Sequence, residues 1–159
     1  IQAAACKSAL SSIFSALNLL GLEHQEIKTR INHNAPNCQS YQKIKNVLNN
    51  NSKGVYQGKI FVKDIAQKTD AYQLSKALIL DDGAEFDAKP ELEIYADDVK
   101  CSHGSTSGSI DLDSIHYLKT RGIPEKEAYQ MLIKGFLGEV LEKITDIKLK
   151  NFLLNKLES

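Results

Sequence analysis

A chain of 159 residues is long enough for one domain with a real core, or for a domain plus a small appendage. Its 20 basic and 20 acidic side chains cancel, so a nucleic-acid role has no electrostatic support. With 42% hydrophobic and 25% charged residues the composition is that of an ordinary globular protein, and every apolar run is far shorter than the roughly 20 residues a membrane span needs.

No charged-then-apolar leader opens the chain, so export is not expected. The start at Ile1, with no initiator Met, predicts a piece of something longer. Cys6, Cys38 and Cys101 are odd in number and widely spaced, which fits a reducing cytoplasm better than a disulfide framework.

Along the chain, Leu10, Ile13, Phe14, Leu17 and Leu20 sit at helical spacing, in a segment short enough for its neighbours to override. Ile27–Ile31 alternates apolar or β-branched with charged residues, as a half-buried strand does. Val55–Val62, Ala77–Leu80 and Leu92–Tyr95 are further short strand-like runs, separated by the turn-prone Asn49–Asn51, Asp81–Gly83 and Asp97–Asp98. Pro90 argues for an edge or strand-start position. Such strands with no helix between them exclude a βαβ sheet and leave a sandwich, a barrel or a β-helix.

After Ser109 the texture turns helical. Asp111 is a plausible N-cap for a helix through Tyr117, with Gly122 ending it. Pro124 suits the first position of a second helix, whose apolar stripe runs Ala128, Leu132, Phe136, Val140 and Ile144. Leu149, Phe152, Leu153 and Leu157 repeat the pattern in a third.

The densest chemistry lies in Val99–Gly104. On a strand, residues two apart share a face, so Cys101 and His103 project side by side. A thiol and an imidazole suit a soft metal or an iron–sulfur species, or a Cys–His nucleophile pair, but two ligands do not close a metal site. Gly104–Gly108 lacks the Lys of a phosphate loop and reads as a flexible turn before the first helix. His24, His33 and Cys38 match no metal template, and His33 reads as a turn or rung residue. His116 reads as a packing or surface residue of the first helix, and Lys43, Lys45 and Lys53 as a solvated basic face. The acidic doublets Asp81-Asp82 and Asp97-Asp98 read as corner turns rather than the carboxylate pair of a carbohydrate enzyme.

From Asn32 to Val140 the chain resembles the SufB/SufD family of iron–sulfur cluster assembly proteins. The stretches that carry the resemblance are INHNAPNCQS (31–40), GVYQGKIFVKDIAQKTDAYQ (54–73), PELEIYADDVKCSHGSTSG (90–108) and IHYLKTRGIPEKEAYQMLIKGF (115–136). The Cys-Ser-His-Gly segment is similar to the SufD branch, whereas the SufB branch carries a Glu-containing segment there. The resemblance fades before Leu22 and leaves residues 1–20 unassigned.

The resemblance implies a mainly β fold, with a right-handed parallel β-helix core over 1–108 and a C-terminal helical domain over 109–159. It implies a non-catalytic cytoplasmic scaffold subunit that pairs with SufB through the end of the β-helix, and it leaves self-pairing in isolation open. The SufC ATPase would dock on the helices, in the region of Tyr117, Arg121, Gly122 and Phe136. An iron–sulfur cluster would pass transiently through the SufB interface, with Cys101 and His103 facing it as transient metal contacts and no cofactor held stably.

Overall fold

The structure is a computed structural model that describes residues 2–3, 10–19, 23–142 and 146–158. Its strands are β1 (Gln2–Ala3), β2 (Leu10–Leu19), β3 (His24–His33), β4 (Gln39–Leu48), β5 (Lys53–Val62), β6 (Thr69–Ile79), β7 (Glu85–Ile94) and β8 (Val99–Ser109). The helices α1 (Leu112–Thr120), α2 (Glu125–Leu141) and α3 (Ile147–Glu158) follow. All pairing is parallel, in two four-stranded sheets ordered β1-β3-β5-β7 and β2-β4-β6-β8. Successive strands therefore alternate between the sheets, and each lies beside the strand two elements earlier: His24 beside Lys53, and Lys53 beside Glu85. The corners need tight backbone, and Asn37 and Asn50 supply it with φ of 59° and 53°, a region Asn tolerates better than most residues.

The space between the sheets is apolar at its ends and polar in its middle. Ile60, Val62, Ala66, Ala71 and Ala96 form one apolar cluster, and Leu48, Ala77 and Ala84 another. Between them runs a buried hydrogen-bonded chain. Thr29 Oγ1 meets Tyr56 Oη at 3.2 Å, and Tyr56 Oη donates to Gln42 Oε1 at 3.4 Å. Gln42 Nε2 donates to Gln73 Oε1 at 3.2 Å, and Gln73 Nε2 to the Gly58 carbonyl at 3.3 Å. The two buried glutamines persist because each finds partners. Gly58 is what leaves room: a Cβ there would overlap Tyr56 Oη and Gln73 Nε2 and lie 2.7 Å from Gln73 Cδ. Gly58→Ala is therefore expected to destabilise the fold by about 2 kcal/mol, read from the midpoint of urea unfolding. A midpoint unchanged from wild type would show that the chain yields freely.

Several expectations are corrected. Leu10–Leu19, left unassigned by its short helical spacing, is a strand in full register with β4, because pairing along ten residues outweighs that periodicity. Gly104–Gly108 is no turn: β8 continues through it to Ser109, held by β6. Pro90 lies inside β7 rather than before a strand, yet β7 is the edge strand it argued for. Asp111 caps α1 as expected, accepting from the Asp113 N–H at 3.1 Å, but the helix runs past Tyr117 to Thr120. Gly122 follows it with φ of 84°. Pro124 is the N-cap of α2 rather than its first residue. Ile144 lies outside the described residues.

Lys43 and Lys45 overturn the reading as a solvated face. They point outward from β4, but α2 lies over them, and their side chains are only 8% and 2% exposed. Both form ion pairs with Glu139 of α2. Lys45 Nζ also donates to the Phe136 carbonyl at 2.6 Å and sits 4.3 Å from the centroid of the Phe136 ring.

Candidate functional site

The last pair of strands, β7 and β8, leaves both sheets open. Each is the outermost strand of its sheet, and among the described residues no strand lies beyond them. The layers beneath are covered by a further coil, so Gln42 and Gln73 are fully buried. Their partner in the last layer, His103, pairs in register with Gln73 and is exposed. The inward face of this coil carries Phe86, Ala88, Pro90, Leu92 and Ile94 from β7, opposite Val99, Cys101, His103, Ser105 and Ser107 from β8. One side of the uncovered end is apolar, and the other offers a thiol, an imidazole and hydroxyls.

Cys101 and His103 share that inward face, as the spacing predicted, but their surroundings differ. Cys101 is half-buried against the cluster of Ile60, Val62 and Ala71. Burial pushes its thiol pKa up and the charge of Asp70 adds to this, while the Ala71 backbone hydrogen bond opposes both. A protonated, packed thiol is a poor nucleophile, which weighs against a thiol enzyme. His103 stands free at the opening. Among the described residues no three His, Cys, Asp or Glu side chains converge as a metal site.

The other candidates scatter. His33 is buried inside the coil, with Nε2 2.9 Å from Ser40 Oγ, and burial lowers its pKa, so it is a neutral core residue. His116 is exposed on α1. The acidic doublets stand at opposite ends of β7, a strand of 10 residues. At about 3.3 Å per residue this puts them some 30 Å apart, far beyond the roughly 5–9.5 Å of paired catalytic carboxylates. Tyr117 is 57% exposed, with the Arg121 guanidinium 5.1 Å from its ring centroid, and Gly122 follows directly. Phe136 is turned against Lys45 instead. Asp111, Asp113, Ser114, Tyr117, Leu118 and Leu132 line a shallow cavity of about 340 Å³ beside that exposed group.

Sequence reasoning missed β4 and its lysines. The available signal was a repeat: Tyr41-Gln42 recurs as Tyr72-Gln73 and Lys45 as Lys76, each pair in register.

The last pair of strands in this parallel two-sheet fold thus leaves an exposed imidazole at its open end, and the helices leave an exposed surface. Residues 5–136 match the SufBD core domain of the SUF system for FeS cluster assembly, and the chain belongs to the SufB/SufD family, as a SufD-like member. It is 42% identical over 132 residues, 83% of its length, to the iron–sulfur cluster assembly protein SufD of Escherichia coli, and spans 31% of that protein. It is 37% identical over 139 residues to an iron–sulfur cluster assembly SufBD family protein of Synechocystis, covering 87% of this chain and 31% of the relative. To the SufD of Bacillus subtilis it is 30% identical over 138 residues, 87% of this chain and 32% of the relative. The chain thus spans about a third of the curated relatives it matches.

Proposed function

We propose that this chain is part of a cytoplasmic scaffold subunit for iron–sulfur cluster assembly, one that pairs with SufB, docks the SufC ATPase and has no turnover of its own. The two sheets are, in this reading, the sides of a right-handed parallel β-helix over residues 1–108, with the helices of 109–159 as a second unit. The observation that carries the proposal is the uncovered last coil, where His103 is exposed beside a half-buried Cys101. Two side chains cannot close a metal site, so the remaining contacts to a passing cluster come from the partner that covers this end. The cluster is cargo here, formed at the interface and handed on.

Two features support the absence of turnover. Gly104–Gly108 is strand rather than phosphate loop, and it has no Lys to grip a nucleotide. The Cys101 thiol is shifted away from the thiolate that a nucleophile needs.

In this reading SufC docks on Tyr117, Arg121 and Gly122, and the shallow cavity of α1 and α2 beside them supports it. Phe136 serves that surface from behind, by seating α2 on β4. Co-purification of the chain with SufB and SufC tests the whole reading. Within it, Tyr117→Ala with Arg121→Glu should cut SufC retention at least tenfold while leaving SufB pairing and the thermal midpoint unchanged, since both side chains are exposed. Undiminished SufC binding by the double variant would remove these residues from the docking surface.

A further inference from the structure

Opposite charges that face each other on neighbouring strands readily pair. Lys53 of β5 and Glu85 of β7 are in register, and their side chains meet at 2.9 Å. Asp70 of β6 and Lys100 of β8 are in register in the same way. Both are exposed, yet among the described residues neither forms an ion pair. Gln39 of β4 completes that row on the outer face of the sheet.

The corner just before these strands repeats the arrangement with the signs reversed. The Lys68 N–H reaches the Asp98 carbonyl at 2.6 Å, so these two residues also lie side by side. Their exposed side chains likewise form no ion pair among the described residues. Lys68 has φ of 59°, the same as Asn37. The two hold equivalent corners, because Gln39 and Asp70, two residues after each, are in register. Asparagine tolerates that left-handed conformation, whereas lysine adopts it at a cost. Turning the corner does not call for a lysine, as Asn37 shows one layer below.

All four charges line one cavity of about 330 Å³, with Gln39, Thr69 and Val99 as its other walls. Their signs alternate. Lys68 has Asp98 beside it across the strands and Asp70 two residues along the chain; Lys100 has Asp70 across and Asp98 along. The square is neutral as a whole. A lone anion is drawn by two lysines and repelled by two carboxylates, and a lone cation meets the reverse, so neither gains much. No three His, Cys, Asp or Glu side chains converge there to hold a metal among the described residues. A molecule that carries both charges a few bonds apart gains from all four. The volume lies at the lower end of the roughly 300–1,000 Å³ of ligand sites, and half-buried Val99 offers only a small apolar contact.

We infer that this cavity binds a small zwitterion, an α-amino acid with a short side chain, its carboxylate held by Lys68 and Lys100 and its ammonium by Asp70 and Asp98. The Gln39 amide at the rim adds a group that can donate to the carboxylate. The site is distinct from the Cys101–His103 face, because Asp70 and Lys100 lie on the outer face of the sheet and Cys101 on the inner one. Since the four side chains are exposed, salt screens their hold on the ligand, and binding weakens as ionic strength rises.

Equilibrium dialysis of the full-length protein against radiolabelled L-alanine at low ionic strength tests this. Saturable uptake is expected, and unlabelled L-alanine should displace the label at concentrations about tenfold or more below those needed of acetate or methylammonium, each of which offers one charge only. Displacement by either ion as readily as by L-alanine would mark a simple ion site and overturns the inference, as does uptake that never saturates. Lys68→Asn puts at this corner the residue type that already holds the one before it. Its thermal midpoint should therefore be no lower than that of wild type, while L-alanine binding weakens about tenfold or more. Asp70→Asn removes an exposed charge from the ammonium side and should weaken binding to a similar degree. Binding as in wild type by both variants places the amino acid elsewhere and overturns the site.

Discussion

Glu139→Gln is expected to cost about 3 kcal/mol and to release α2 from the β body, because it strands two buried ammonium groups without a counter-charge. Lys43 and Lys45 are 8% and 2% exposed and share the one carboxylate. Hydrogen bonds from Lys43 and then Lys45 hold the Glu139 pKa down to about 2, against an ordinary 4.5. Lys45 shifts down as well, because its burial outweighs the hydrogen bond and charge of Glu139. We therefore read the lysine as the unfavourable member and Glu139 as the group that offsets it. The sign for Glu139 follows from a folded pKa below the unfolded one: its contribution is complete above about pH 4.5 and is lost as pH falls toward 2. Since its carboxylate is 46% exposed, solvent screening makes the acid loss smaller than the shift alone suggests. Chemical denaturation at pH 7 and at pH 3 reads both effects. Replacing all three residues together, as Lys43→Met, Lys45→Met and Glu139→Leu, should recover most of the loss, since an apolar set of similar size needs no counter-charge. A Glu139→Gln chain within ~0.5 kcal/mol of wild type would mean that the lysines find water or one another instead.

His103→Ala should reduce cluster formation about tenfold or more while leaving folding and assembly intact. The side chain is exposed in the free chain and makes no contact on which the core depends. Its loss therefore removes an imidazole that can ligate iron or hold a proton near sulfide, and little else. The measurement uses the full-length protein co-expressed with SufB and SufC. The complex should purify in wild-type proportions, with reconstituted iron–sulfur absorbance and cellular complementation both sharply lower. Normal cluster yield would make His103 a bystander; a complex that falls apart would make it a packing residue of the interface. Cys101 is the informative comparison. Half-buried among aliphatic residues, it is expected to affect stability more than His103 does when changed to Ser.

How much of this was legible beforehand differs by element. Asp111 and Gly122 marked the ends of α1 because capping chemistry acts within a few residues. Cys101 and His103 could be placed on one face because the period of a strand is local. The β4 strand was illegible by hydrophobic alternation, since its inward positions include Ser40, Gln42 and Asn46 and its outward ones Lys43 and Lys45. Gln42, Lys43 and Lys45 are buried because Gln73 and Glu139 meet them, and such partners lie far off in the sequence. The same holds for Leu10–Leu19, whose helical spacing loses to a ten-residue pairing with β4.

The sequence by itself determined the β body followed by helices, the ends of α1, the shared face of Cys101 and His103, and, through its motifs, the family. Those are properties of adjacent residues. Only the tertiary structure decided that two lysines lie beneath α2, that Phe136 faces inward and that Cys101 is packed while His103 is free. Only the tertiary structure, too, made β7 and β8 the outermost strands of their sheets, with Pro90 inside β7. Burial and edge exposure depend on what lies beside each strand, and in these sheets that neighbour is always two strands away in the chain.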